Sequence, residues 1–295
     1  MSDSYRPRRA ARSSFVDARG LRHHLRHWGD PDAPPLVMLH GWMDVSASFQ
    51  FVVDCLARER HVIAPDWRGF GLTGRPAADC YWFPDYLGDL DRLLDALLPD
   101  RALDLVGHSM GGNVATLYAG VRPARVRRLV NLEGFGLQAT EPAQAPARLR
   151  EWLDGVRDGA RMTDYPTCDA VALRLMRTNP RLRPDRAAWL AAHWAQADAA
   201  GRFVLLGDPA HKLPNPYLYR VDETLAVWRE ITAPVLLVRA GETGHWHRFS
   251  GSDAYRQRLL AIRDLHHATV EDAGHMLHHD QPERVASLIE EFVDG

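Results

Sequence analysis

Cysteine and lysine are both scarce in this sequence. Cys55, Cys80 and Cys168 are its only thiols in 295 residues. Odd in number, widely spaced and without a C-x-x-C pair, they exclude a disulfide framework and a cysteine-ligated zinc site and point to a reducing, cytoplasmic setting. Lys212 is the one lysine among 36 basic side chains, a compositional bias to which we attach no function. An excess of either charge is missing as well. Against 38 acidic groups the formal net charge is −2, so the chain lacks the basic surplus with which proteins neutralise nucleic-acid phosphates or an anionic membrane. No apolar run approaches the roughly 18 residues of a membrane-spanning helix. The start of the chain carries the pair Arg8-Arg9, but the stretch after it, SFVDARGLRHHLRHWG, has no continuous apolar core and reads as no export signal. The partner left is a small-molecule substrate, and nothing favours a monomer over a homodimer.

What is present is a chain that is 46% hydrophobic and 25% charged, ordinary for a globular protein and long enough for one large α/β unit or two domains. Short apolar runs bounded by turn residues alternate with stretches of helical period, the pattern of βα units and a mostly parallel sheet. Strands are expected at residues 36–39, 62–64, 103–106, 129–132, 235–238 and 268–270, after an antiparallel hairpin built from 15–16 and 21–28. Leu87, Leu90, Leu94 and Leu97 lie on one face of an expected helix, and a last helix starts at Pro282. From about Phe135 to Glu230 the strand rhythm stops. Several helical patterns divided by prolines take its place, over a stretch too long for a loop. The expected architecture is therefore a sheet flanked by helices, built from residues 1–134 and 232–295, with a helical insertion at 135–231.

The sharpest local signal is Gly107-His108-Ser109-Met110-Gly111. A bare G-x-S-x-G is weak evidence. Here it ends an apolar strand and opens a helical segment, the setting of a nucleophile elbow, where small neighbours let strand and helix approach around a strained serine. A serine hydroxyl needs a base to take its proton, and the base needs a carboxylate to orient it. His275, behind Gly274 and between the last strand and the last helix, is the best base. Two acids fit the chain order: Glu133, directly after the strand at 129–132, and Glu242, after the strand at 235–238. The tetrahedral oxyanion requires donors. Trp42 in His40-Gly41-Trp42 and Met110 beside the serine can supply backbone N–H groups. The histidines near the end, His275, His278 and His279 with Asp280, and the pair His245 and His247, match no metallo-hydrolase spacing. They are read as chance clustering around a catalytic His275, and no metal or cofactor is expected.

Taken in order, His40-Gly41-Trp42, Asp66-Trp67-Arg68-Gly69-Phe70-Gly71, Gly107 to Gly112 and Gly274-His275 resemble the signature of the α/β-hydrolase superfamily over nearly the whole chain. The segment from Asp208-Pro209 to Pro216, leading into Ala233-Pro234-Val235, is similar to its serine-hydrolase-like branch. The resemblance implies that the insertion is a cap and that Asp66 to Gly71 shapes the loop beneath the site. It also bears on the acid. The family's usual Asp position corresponds to Gly244, whereas a branch similar to haloalkane dehalogenases places a Glu at the end of the strand before the cap, where Glu133 stands; Glu133 is therefore preferred. Haloalkane dehalogenases and epoxide hydrolases of this fold attack with Asp, and position 109 is Ser. The expectation is a serine hydrolase of carboxylic esters carrying small apolar or aromatic groups. A thioesterase or lactonase with the same triad, and a catalytically inactive binding protein of this fold, are the alternatives.

Overall fold

The computed structural model describes residues 4–242 and 252–295. Eight strands form one sheet. Strands β1 (Arg12–Ala18) and β2 (Leu21–Trp28) make the expected hairpin, and β2 pairs antiparallel with β4 (His61–Pro65). The remaining neighbours, β3 (Pro35–Leu39), β5 (Leu103–His108), β6 (Val126–Leu132), β10 (Val235–Ala240) and β11 (Leu265–Val270), run parallel. Across the sheet the order is β1-β2-β4-β3-β5-β6-β10-β11. Each strand expected from the sequence is thus present, most of them longer at one end.

Alternation along the strands builds two cores. Val37, Leu39, Leu105 and Leu129 face helices α2 (Phe83–Leu97) and α3 (Met110–Val121), where they meet Leu90, Leu94, Val114 and Tyr118. Leu36, Met38, Val106 and Val130 face the opposite way, against Val52 and Val53 of the short helix α1 (Gln50–Val53) and Val285, Ile289 and Val293 of the last helix, Pro282–Asp294. Strands buried on both faces read as continuous apolar runs, which is why the sequence located them.

Between β6 and β10 the chain leaves the sheet and forms helices α4 (Ala145–Asp158), α5 (Cys168–Thr178), α6 (Pro184–Trp194) and α7 (Val221–Arg229). Helices α5 and α6 share an apolar cluster in which Val171, Leu175 and Leu190 surround Phe51 of α1. The segment is not wholly helical as expected. Helix α6 ends at Trp194, and Ala195–Ala197 (β8) joins Asp164–Tyr165 (β7) and Phe203–Leu205 (β9) in a small antiparallel sheet ordered β7-β9-β8. Strands of two or three half-exposed residues carry no alternation to read. Among the described residues no helix is long and apolar enough to cross a membrane.

One buried carboxylate organises the loops above β4. Asp66 accepts hydrogen bonds from the Ser46 and Leu72 backbone N–H groups at 2.7 and 2.9 Å and from His24 Nδ1 at 2.7 Å. Burial alone would raise its pKa, but these hydrogen bonds, that from His24 foremost, prevail and hold it at about 2. A carboxyl depressed on folding stabilises the protein above its unfolded pKa, near 3.8, and that contribution disappears as pH falls toward 2. Asp66→Asn is expected to cost about 2 kcal/mol near neutral pH, with the gap to the wild type closing between pH 4 and 2; denaturant titrations across that range check it.

Candidate active site

The turn from β5 into α3 places Ser109 at φ 52°, ψ −115°, a left-handed backbone that a non-glycine residue adopts only under constraint. The packing shows the constraint. A Cβ on Gly107 would lie 2.5 Å from the Gly111 carbonyl oxygen, and one on Gly111 would lie inside the carbonyls of Leu39 and His40. The tight strand-to-helix crossing therefore admits only glycine at these two positions. Ser109 N–H donates to the Leu132 carbonyl at 2.8 Å, which pins the serine to the end of the neighbouring strand β6.

Glu133 directly follows that strand end, itself at positive φ (60°). Its N–H donates to Val238 on β10, and its Oε1 accepts the Ala240 N–H at 2.7 Å. The other carboxylate oxygen, Oε2, lies 3.2 Å from His275 Nδ1, and His275 Nε2 is 2.9 Å from Ser109 Oγ. With Nδ1–H donating to the carboxylate, Nε2 is left as the acceptor for the serine hydroxyl proton. Burial pushes the Glu133 carboxyl above its usual range, against the pull of the bonds from His275 and Ala240. Asn131, which the sequence did not single out, supports this turn. Its Oδ1 accepts Gly134 N–H at 2.7 Å while its amide donates to Thr116 and to the Gly134 carbonyl. Asn113 does the same one step on, accepting from Gly136 N–H at 2.7 Å.

Of the two candidate acids, the structure brings only Glu133 to the imidazole. Glu242 is turned outward, 61% exposed and paired with Arg181. Gly244, His245 and His247 lie outside the described residues. Asp280 faces away from the serine, accepting from Gly274 N–H and Asn179.

Trp42 and Met110 flank the serine. Met110 is the first residue of α3, where an N–H has no intrahelical acceptor. The His40–Trp42 turn runs against Ser109; a Cβ on Gly41 would stand 3.3 Å from the serine Cβ. The turn is held from behind, since His40 donates through Nδ1 to the Gly41 carbonyl and accepts the Trp67 N–H at Nε2, while the Trp67 indole donates to the His40 carbonyl. Burial keeps His40 neutral, as this bonding requires.

A cavity of about 510 Å³ opens onto Ser109, His275 and Glu133. Tyr81, Trp82, Phe83 and Tyr86 form one wall, with Trp42, Met110, Phe135, Leu137 and Leu213 around them, and Asn113, His211 and Asn215 supply the other polar groups. Of the aromatics in the insertion, Phe135 alone lines it. Trp189, Trp194, Tyr165 and Phe203 pack within the α5–α6 cluster, Tyr219 joins the main core, and Tyr217 is exposed. The insertion reaches the cavity instead through residues 135–137 and 211–215. His211 is stacked between Phe70 and Tyr81 at ring distances of 3.7 Å, and Tyr81 donates to Asp208 at 2.8 Å, so the 208–216 segment is latched onto the Asp66–Gly71 loop.

A hydroxyl on an elbow, an imidazole beside it and a buried carboxylate behind, all at the carboxyl ends of parallel strands, define a hydrolase-type site. The chain belongs to the α/β-hydrolase-fold family, whose model matches residues 34–282. It is similar to a serine hydrolase-like protein of Danio rerio, 32% identical over 275 residues, which cover 90% of this chain and 83% of that protein. A 2-hydroxy-6-oxo-2,4-heptadienoate hydrolase of Pseudomonas putida is 42% identical over 126 residues, 42% of this chain and 45% of that enzyme. Among solved structures, a thioesterase domain from the curacin biosynthetic pathway superposes with a TM-score of 0.84 at 26% identity, over 96% of this chain and 99% of that one.

The two glutamates separate experimentally. Glu133→Gln is expected to lower kcat on the order of 10⁴-fold by removing the charge that orients and stabilises His275. Glu242→Gln breaks only an exposed ion pair and is expected to leave kcat within about twofold. Ester turnover by the two purified variants checks both.

Proposed function

We propose that this protein is a serine hydrolase of carboxylic esters, acting on substrates with small apolar or aromatic groups through an acyl-serine intermediate. The observation that supports it best is the line from Ser109 Oγ through His275 to Glu133, at 2.9 and 3.2 Å, opening on an aromatic cavity. Ser109 Oγ attacks the acyl carbon as its proton passes to His275 Nε2, and Glu133 stabilises the imidazolium that forms. The Trp42 and Met110 N–H groups receive the oxyanion. When the intermediate collapses, the carbon–oxygen bond to the leaving group breaks and His275 returns the proton to the departing alcohol. Water, deprotonated by the same imidazole, then attacks the acyl carbon; the bond to Ser109 Oγ breaks, His275 returns the proton to that oxygen, and the acid is released. Each of these steps is carried by side chains and backbone of this chain.

The cavity argues for the substrate class. Pockets select by shape and by the few polar groups they offer. An aromatic wall with three neutral polar residues suits uncharged acyl or aryl groups better than sugars or peptides. The near-neutral chain, its three free cysteines and the lack of a membrane-spanning helix among the described residues accord with a small soluble substrate and a cytoplasmic location. We further propose that the insertion acts as a cap, delivering Leu137, His211 and Leu213 to the roof of the cavity. A thioester is the second reading; the likeness to a thioesterase domain, at 26% identity, favours it, and the chemistry at Ser109 would be unchanged.

Ser109→Ala is expected to cut hydrolysis of a p-nitrophenyl ester panel by roughly 10⁵-fold or more and to abolish labelling by a fluorophosphonate, with circular dichroism unaltered. Turnover at the wild-type rate in that variant rejects the mechanism. Acyl thioesters of matched chain length, run in the same panel, rank the two substrate classes by kcat/KM.

A further inference from the structure

Four ionisable side chains meet in the protein interior without lining the cavity. Asp44 comes from the loop two residues beyond Trp42, His108 from the end of β5 beside Ser109, and His278 and His279 from the short helix Leu277–Asp280 just past His275. All are 3% exposed or less. One donor atom each from Asp44, His278 and His279 lies within 4.8 Å of the other two. His278 Nε2 is 3.8 Å from Asp44 Oδ2, and the His278 ring stands 4.2 Å from the rings of both His108 and His279.

The hydrogen bonding of this cluster is incomplete on its inner side. Asp44 Oδ1 is engaged by Val45 N–H and the Ser48 hydroxyl, and His108 Nε2 donates to the His275 carbonyl at 2.7 Å. The atoms turned the other way have no partner: Asp44 Oδ2, His108 Nδ1, His279 Nε2 and both nitrogens of His278. A buried polar atom left unpaired is costly and rare in a native protein. An imidazole offers one lone pair, so four of these five atoms, one of them on His278, can donate to a bound Lewis acid.

We propose that Asp44, His278 and His279 form a binding site for a divalent transition-metal ion, zinc being the ion best suited, with its fourth position left to water. Two imidazoles and a carboxylate are a zinc-type donor set, whereas magnesium and calcium take oxygen ligands. Bonds of about 2.0–2.2 Å around a tetrahedral ion separate its donors by roughly 3.3–3.6 Å, so the sides of the donor triangle contract by at most about an ångström on loading. The ligands sit on the loop that carries Trp42 and on the helix just past His275. The ion would therefore fasten together the two segments flanking Ser109, as a structural clamp behind the site. This inference is independent of the substrate proposed above. The sequence could not show it, because the carboxylate lies more than two hundred residues from the histidines.

The test measures metal directly. Zinc is offered both to the folded chain and during refolding from denaturant, so that slow entry to a buried site is covered, and the desalted protein is assayed by elemental analysis. The wild type is expected to retain one zinc per chain and to melt several degrees higher with it. Asp44→Asn and His278→Gln, or the milder His279→Gln where those fail to fold, are expected to lose both effects, whereas the exposed His266→Gln keeps them. Cobalt(II) in the wild type is expected to give the intense visible bands of a four-coordinate ion, a readout that needs no variant. Zinc retention no greater than that of Asp44→Asn, or a cobalt spectrum of the free aqua ion only, overturns the proposal and leaves the cluster as a site for water.

Discussion

The site rests on the backbone turn at Ser109. Holding an L-residue at φ 52° between a strand and a helix is unfavourable, and the surroundings must enforce it. They do so from three directions. Glycines at 107 and 111 let β5, α3 and the end of β3 approach closely; the Leu132 carbonyl takes the serine N–H; and the His40–Trp42 turn closes over the residue, itself fixed by Trp67. The same crossing leaves the first N–H of α3 without an intrahelical acceptor beside the serine. Strain at Ser109 and the placing of a candidate oxyanion donor are thus one structural fact.

The acid is set by the same geometry. β5, β6 and β10 are adjacent and parallel, so the residues just past their ends fall side by side: Ser109, Glu133 and the segment with Glu242. Glu133 is drawn inward because Ala240 N–H and His275 Nδ1 supply the bonds that a buried carboxylate needs. Glu242 has a surface arginine instead. The sequence placed both at strand ends but could not say which would turn inward, since that depends on a hydrogen bond from a strand a hundred residues away.

The strands, the elbow and His275 were legible because each is a local pattern: a short apolar run, a glycine-spaced turn, a glycine before a histidine. What the sequence did not reveal depends on contacts between distant segments. The aromatic wall, formed by Tyr81 and Trp82 just before α2 and by Phe83 and Tyr86 in its first turn, carries no motif. Trp189 and Trp194 of the insertion pack in the cluster shared by α5 and α6 and not at the cavity. Asn131 and Asn113 look like ordinary strand and helix residues until their bonds to Gly134 and Gly136 are seen. Strands β7, β8 and β9 are too short for any alternation to register. Asp66, by contrast, stood inside a recognisable segment, and its bonds to Ser46, Leu72 and His24 show how that segment shapes the loops beneath the site.

The central claim is that turnover passes through a covalent acyl group on Ser109. Acid quenching of the enzyme during the steady state with a slowly released aryl ester, and then mass spectrometry of the intact chain and its peptides, reads this directly. The expected result is a mass increase equal to the acyl group, confined to the peptide containing Ser109 and decaying as substrate is exhausted. Sustained turnover with no acylated peptide, or with the acyl group on another residue, contradicts it.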